Sequence, residues 1–307
     1  MHASVLRYFV CVARAGSIRK ASEELHVASS AISRQVLKLE EELGTSLFER
    51  LPNGLRLTRA GEIVLAHARN TLHDFDIMKG ELGDLEGKKT GRVRIACLDS
   101  LAIQFLPERV MAFNRQHPAV DFYIRSDNYS QIFGFVADGE VDIGLTFDLA
   151  RPEDIRRVAG VRMPLMAMVG KQHPLARMKA VTLQECAQFN LLLQLDNEVM
   201  SSMIAIELSA LDRAGRTLVA TNNQMMLKPL IRNGTGVAFF TPFGLMDELR
   251  SGEVVAVPIA GSRLQDLEVG VVVAKRRPMT GATQAVAEFL AGELEAFAEE
   301  IERVLVR

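Results

Sequence analysis

A chain of 307 residues is long enough for two or three domains, and with 48% hydrophobic and 24% charged residues it has the composition of an ordinary globular protein with a core of normal size. That composition excludes a low-complexity or disordered chain, and a net charge of -2 gives the molecule as a whole no nucleic-acid-binding character. Residues 1–60 differ: they carry nine Lys/Arg against six Asp/Glu, whereas residues 61–90 carry four against six, so basic character compatible with phosphate binding sits at one end.

Leu6, Phe9, Val10 and Ala13 recur at helical spacing, which predicts a helix over residues 3–14. Gly16-Ser17 breaks the chain and offers Ser17 as cap of a second, short helix from Ile18 to Leu25. A third begins near Ser29, puts Ile32, Val36, Leu39 and Leu43 on one face, and stops at Gly44. Two helices joined by a turn of three or four residues make a helix-turn-helix. With the aliphatic stripe inward, Ser29, Ser30, Ser33, Arg34 and Lys38 stay outward or flanking. Small hydroxyl residues at a helix start let backbone approach a DNA phosphate, and Arg34 could reach a guanine edge or a phosphate. The same serines could equally be caps, and Arg34 a solvated charge. Glu40, Glu41 and Glu42 would repel DNA and therefore belong at the end that leaves the groove.

Leu47 and Phe48 can pack beneath these helices, and "ERLPNGLRLT" reads as a hairpin turning at Asn53-Gly54, with Leu55 and Leu57 alternating against Arg56 and Arg59. Such a basic wing can follow the adjacent minor groove. At this point "ASEELHVASSAISRQVLKLEEELGTSLFER" followed by "LTRAGE" resembles the LysR-type transcriptional regulators. The resemblance puts Ser33-Arg34-Gln35 on the recognition helix, and the expected DNA contacts over helix and wing are Ser29, Ser30, Ser33, Arg34, Lys38, Asn53 and Arg56. Ala28 stands where members commonly have a capping Ser, Ser29 where Gln often reads a base, and Asn53 where an Arg often serves the wing. Operator preference therefore does not carry over.

Residues 59–87 contain no proline, and Leu65, Ala68, Leu72, Phe75, Met78, Leu82 and Leu85 follow in steps of three and four, a coiled-coil rhythm with one extra three-step at Met78. Pairing with another chain is the expectation, burial against its own domain the alternative. The resemblance implies a dimerisation linker, with two heads on two related half-sites. "GKKTG", Gly87–Gly91, reads as a flexible exit.

From Arg92 the period changes. "RVRIACL", "VDFYIR" and "VDIGLTF" are strand-like and alternate with helix-like "LPERVMAFNRQHP" and "SQIFGFVADGE". The alternation continues with "LMAMVG", a helix at 199–214, "TLVATN", a helix ending near Asn233, "GTGVAFFTP", "LEVGVVVA" and a helix at 281–303. This predicts doubly wound α/β sheets. The expected fold class is α/β multidomain. A winged helix-turn-helix over 1–58 leads into a long linker helix over 59–90. The resemblance implies that a two-lobed effector domain over 91–307 follows, similar to periplasmic binding proteins, with lobe I at 92–161 and 268–307 and lobe II at 162–267. Ligands of open α/β sheets sit beyond the carboxyl ends of strands. The residues there are Asp99 and Ser100, Asn128, Thr146 and Phe147, Gln194 and Thr241, with Ser201 or Ser202 opening the helix at 199–214. Ser100 near a helix start favours a carboxylate or other anion, although each of these residues could also be a plain cap or turn residue.

Six histidines lack HxxxH or HExxH spacing, and no GxSxG, P-loop or GxGxxG follows a predicted strand. Neither an enzyme nor a catalytic or metal site is therefore expected, and Asp142 reads as structural or catalytic. Cys11, Cys97 and Cys186 are few, odd in number and widely spaced, which suits buried thiols in a reducing compartment. "MHASVLRYFVCVARAGS" lacks the order of a signal peptide, and no stretch reaches the roughly 18 apolar residues that span a bilayer. A cytoplasmic location without a membrane partner is expected, and a secreted solute-binding protein is disfavoured. The partners implied are double-stranded promoter DNA, a small-molecule effector such as a carboxylate in place of any cofactor, further copies of the chain as homodimer or homotetramer, and RNA polymerase as an open candidate.

Overall fold

The computed structural model describes residues 3–52, 54–85, 89–195, 204 and 215–305. They form two compact units, one from the N-terminal 87 residues with Asp138–Glu140, the other from the rest. In the first, α1 (Ala3–Ala15), α2 (Ile18–Leu25) and α3 (Ser29–Leu43) precede strands β1 (Phe48–Leu51) and β2 (Gly54–Leu57) and the long α4 (Arg59–Leu85). Leu6, Phe9 and Val12 of α1, Ala21 of α2 and Ile32, Val36 and Leu39 of α3 are buried, and the Phe9 and Phe48 rings lie 5.3 Å apart. The apolar face of α3 stops one turn early: Leu43, expected inward, is 42% exposed, just before Gly44 closes the helix at φ +66°.

Ser17 occupies the cap position of α2, but its side chain makes no capping bond. The bend is held instead by Gly16, at φ +61°, whose carbonyl accepts the Leu55 N–H at 2.8 Å. The hairpin register pairs Leu51 with Gly54, so Gly54 belongs to the strand and not to the turn predicted at Asn53-Gly54. Gly54 is needed for packing: at φ +137°, a Cβ there would lie 2.6 Å from the Gly16 carbonyl oxygen. Asn53 lies outside the described residues. The stripe on α4 divides. Ala68 is buried, and Val64, Leu65 and Leu72 pack with it against Leu6, Phe9 and Leu39, whereas Met78, Leu82 and Leu85 are 44%, 56% and 84% exposed.

The second unit contains two five-stranded sheets. One holds β3 (Gly91–Cys97), β4 (Val120–Ser126), β5 (Ile143–Phe147), β6 (Ile155–Arg162) and β12 (Glu268–Ala274) in the order β4-β3-β5-β12-β6. The other holds β7 (Met166–Gly170), β8 (Leu191–Gln194), β9 (Thr217–Thr221), β10 (Val237–Phe240) and β11 (Val254–Pro258) in the order β11-β7-β10-β8-β9. The sheets are mixed rather than purely parallel. β3 pairs in parallel with β4 and β5, but β12 runs antiparallel to β5 and β6, and β7 antiparallel to β10 and β11. The reason is connectivity: β7 and β12 each enter their sheet directly from the other one, without the helical crossover that parallel pairing needs.

Around the sheets lie α5 (Asp99–Ile103), α6 (Phe105–Gln116), α7 (Tyr129–Ala137), α8 (Leu183–Cys186), α9 (Gln224–Arg232), α10 (Met246–Arg250) and α11 (Gly281–Leu305). The two crossings are tied together, Met163 N–H donating to the Leu267 carbonyl at 2.7 Å and Leu165 N–H to the Leu264 carbonyl at 3.0 Å. Phe105, Phe243 and Phe297 form a cluster with ring separations of 5.4–5.9 Å, so one apolar core runs through both sheets. Apart from Ile204, the helix expected at 199–214 lies outside the described residues, as do Gly87-Lys88 of the predicted exit.

Candidate nucleic-acid interface and effector cleft

In the head, α2 and α3 are separated by His26–Ala28, with His26 at φ +52° ending α2. Ser29, Ser30, Arg34 and Lys38 are exposed and Ser33 is half-buried. Alanine at the cap leaves no side chain over the first turn of α3, so the leading N–H groups remain open to a phosphate. Two hydroxyls and one amine are partly engaged already: Ser29 Oγ donates to Ser22 Oγ at 2.8 Å, and Lys38 Nζ lies 4.0 Å from Glu42. Arg56 points outward from the hairpin and pairs across it with Glu49, which holds the guanidinium above its ordinary pKa. Arg50 on β1, which closes the stretch that carries the resemblance, was not among the expected DNA contacts. It is exposed, and among the described residues it has no ion pair.

Glu40 belongs to the scaffold. Its carboxylate accepts the Leu47 and Phe48 N–H groups at 2.6 and 3.2 Å and so fixes the entry into the hairpin. Three adjacent glutamates look alike in sequence, and only the returning chain distinguishes this one.

In the second unit the predicted polar residues sit at strand ends. Asp99 and Ser100, half-exposed, open α5 after β3; Asn128 follows β4; Thr146 and Phe147 end β5. Because β3 pairs with both β4 and β5, these five share one sheet edge. Gln194 ends β8 and Thr241 follows β10, its neighbour. The segment Pro242–Leu245 packs against α5, which brings the two edges to a common seam. Ser201 lies outside the described residues. With five residues, α5 carries a weaker dipole than the carboxylate expectation assumed.

Thr146 is fully buried and its hydroxyl has no hydrogen-bond partner among the described residues; Thr241 is 3% exposed and its hydroxyl makes no capping bond there. Phe147 is buried in the core. Gln224, missed from the sequence, opens α9 beyond β9, is 2% exposed, and among the described residues leaves both carboxamide atoms unpartnered beside Gly244. An unpartnered buried polar atom costs about 1–3 kcal/mol, which makes such atoms candidates for a bound partner. The signal was faint: one polar residue in "TNNQ", a turn that reads as punctuation.

Asp142 is structural, accepting the Arg94 backbone N–H at 2.8 Å and its guanidinium at 2.6 and 3.1 Å. Buried His173 accepts the Leu175 N–H at Nδ1 and lies 4.5 Å from the Phe189 ring, and desolvation lowers its pKa. All three cysteines are free and buried, and burial pushes Cys97 and Cys186 up to about 12. Among the described residues no helix is long and apolar enough to cross a membrane.

Residues 4–62 match the bacterial regulatory helix-turn-helix proteins of the lysR family, and residues 86–295 match the LysR substrate binding domain. The chain is 30% identical over 291 residues to the transcriptional dual regulator GltC of Bacillus subtilis strain 168, covering 93% of this chain and 95% of GltC. It is 30% identical over 267 residues to the RuBisCO operon transcriptional regulator of Allochromatium vinosum, covering 85% and 87%. Its fold is similar to that of a cysteine variant of full-length OxyR from Pseudomonas aeruginosa, with TM-score 0.68, 20% identity and 96% and 95% of the two chains covered. It is also similar to full-length CbnR complexed with its target DNA, with TM-score 0.58, 20% identity and 95% and 100% covered. These relatives by sequence are regulators of transcription, which removes the enzymatic alternative. With one family domain matched at the head and the other over most of the remaining chain, the protein belongs to the LysR family of transcriptional regulators, and it is not an enzyme.

Proposed function

We propose that the chain acts in the cytoplasm as a homodimer or homotetramer that binds promoter DNA through its heads and changes their spacing when a small effector binds the second unit. The proposed division is 1–58 for the winged helix-turn-helix, 59–90 for the linker and 91–307 for the effector domain, with the second lobe at 162–267. Ser29, Ser30, Ser33, Arg34, Lys38, Asn53 and Arg56 are proposed to contact DNA. The observation that carries this reading is the burial of Ile32, Val36 and Leu39, which leaves Ser30, Arg34 and Lys38 on the outer face of α3.

Asp99, Ser100, Asn128, Thr146, Phe147, Gln194, Ser201 and Thr241 are proposed to line the effector site, with a carboxylate as the favoured class because hydroxyl and amide donors dominate. Contact with RNA polymerase would follow from a promoter position. Footprinting on the DNA upstream of its own gene tests the reading. Arg34→Ala should weaken operator binding by about 1–3 kcal/mol and leave effector affinity unchanged, whereas Ser100→Ala should blunt the effector response and spare DNA affinity. If both functions vanish together in a folded Arg34→Ala protein, the separation of sites is wrong.

A further inference from the structure

We propose that the recess between the two sheet-to-sheet crossings and the end of α11 is a second ligand site, suited to a small apolar molecule that carries an ammonium group. The recess holds about 300 Å³, the lower end of the range for small-ligand sites. Met163, Leu165 and Met166 come from the first crossing, Pro258 and Ile259 from the second, and Ala298 and Ile301 face them from α11. None of the described effector-cleft residues lines it, so the site does not depend on the effector reading. Met163 and Met166 are 2% and 4% exposed, and their unbranched thioethers can adjust to a guest of irregular shape.

The charge at the mouth sets the sign of that guest. Glu302 stands there with no ion pair among the described residues. Arg162, the cation on the rim, is already engaged by Asp266 at 3.0 Å and by the Gln265 carbonyl at 3.1 Å. Arg303 turns back to the Glu299 carbonyl at 3.2 Å. The last turn of α11, which includes Glu302 and Leu305 of the lining, adds the negative end of a 25-residue helix dipole. An apolar body with a positive head matches both the walls and the mouth. A guest here touches both crossings and α11 at once, so it would bias the geometry of the joint through differential contacts.

The test uses the full-length protein carrying methionine labelled with carbon-13 in its methyl groups, titrated with benzylamine, benzyl alcohol and benzoate. The Met163 and Met166 signals, assigned with Met163→Leu and Met166→Leu, should shift saturably with benzylamine. Benzylamine should bind about threefold tighter than benzyl alcohol, the scale of an exposed ion pair, and benzoate should bind weakest. Glu302→Gln should remove the advantage of benzylamine and leave the alcohol unchanged. Ala298→Phe, which puts a ring into the recess, should abolish all three. Absence of a saturable shift at these two methyls, comparable shifts at every methionine, or benzoate binding as tightly as benzylamine overturns the proposal. These arms need no DNA and no effector, and those on the unaltered chain decide the matter even if Ala298→Phe fails to fold.

Discussion

At Gly61 a Cβ would lie 2.1 Å from the Leu47 carbonyl oxygen and 2.8 Å from the Leu57 side chain. No L-residue tolerates that approach, so α4 can begin against the hairpin only with glycine there. The same Leu47 carbonyl accepts the Thr58 N–H at 3.0 Å, while Thr58 Oγ1 donates to the Ser46 carbonyl at 2.7 Å and accepts the Gly61 N–H at 3.0 Å. These bonds explain why "LTRAGE" has its form: the threonine caps α4 and ties it to the chain leaving α3. Gly61→Ala should therefore destabilise the head by about 2 kcal/mol, the ordinary cost of overpacking, read as a lowered urea midpoint. An unchanged midpoint would mean that the start of α4 shifts freely. At this scale the sequence shows which residue types matter and often hides why. Thr58 and Gly61 were recognisable as a motif, yet the clash that demands glycine depends on a carbonyl fourteen residues upstream. Gln224 was invisible for the same reason, since it lies against Gly244 of the Pro242–Leu245 segment, twenty residues further on.

Among the elements, α4 shows how one periodicity serves two surfaces. Leu65, Ala68 and Leu72 complete the core of the head, so roughly half of the stripe is explained within one chain. Met78, Leu82 and Leu85 continue the rhythm but remain exposed, and a row of this kind on a long helix is the usual seam for a second helix. Leu82→Glu should move the full-length protein toward monomer in sedimentation velocity at micromolar concentration while leaving the thermal transition of the head in place. A dimer that persists would exclude this seam. Helix periodicity survives in sequence because it is local. The strands that escaped notice, β6 and β11, are both sheet edges. "IRRVAGVR" carries three arginines and a glycine, the solvated character that keeps an edge from pairing with other chains, and so it lacks the apolar run that marked β3 and β5.

For the whole molecule, the joint between the sheets decides more than either sheet does. Two short crossings, hydrogen-bonded to each other, and a phenylalanine cluster make a continuous core. No local pattern announces this, because the contacts join residues a hundred positions apart. That continuity means that a perturbation buried in the second sheet should register in the stability of the entire second unit. His173 is such a group: it is 6% exposed, its Nδ1 accepts the Leu175 N–H, and burial lowers its pKa. The folded state thus prefers the neutral ring, while the unfolded chain takes up a proton near the ordinary imidazole value of about 6.5. Stability is complete above that value and is lost as pH falls through the depressed folded pKa, since the unfolded state binds more protons in that window. Thermal melts followed by circular dichroism should show the transition of the second unit falling as the pH drops below about 6.5. In His173→Asn the side-chain oxygen can still receive the Leu175 N–H but cannot titrate, so part of that slope should disappear. An identical slope in the variant would assign the acid sensitivity to other groups and leave His173 as packing alone.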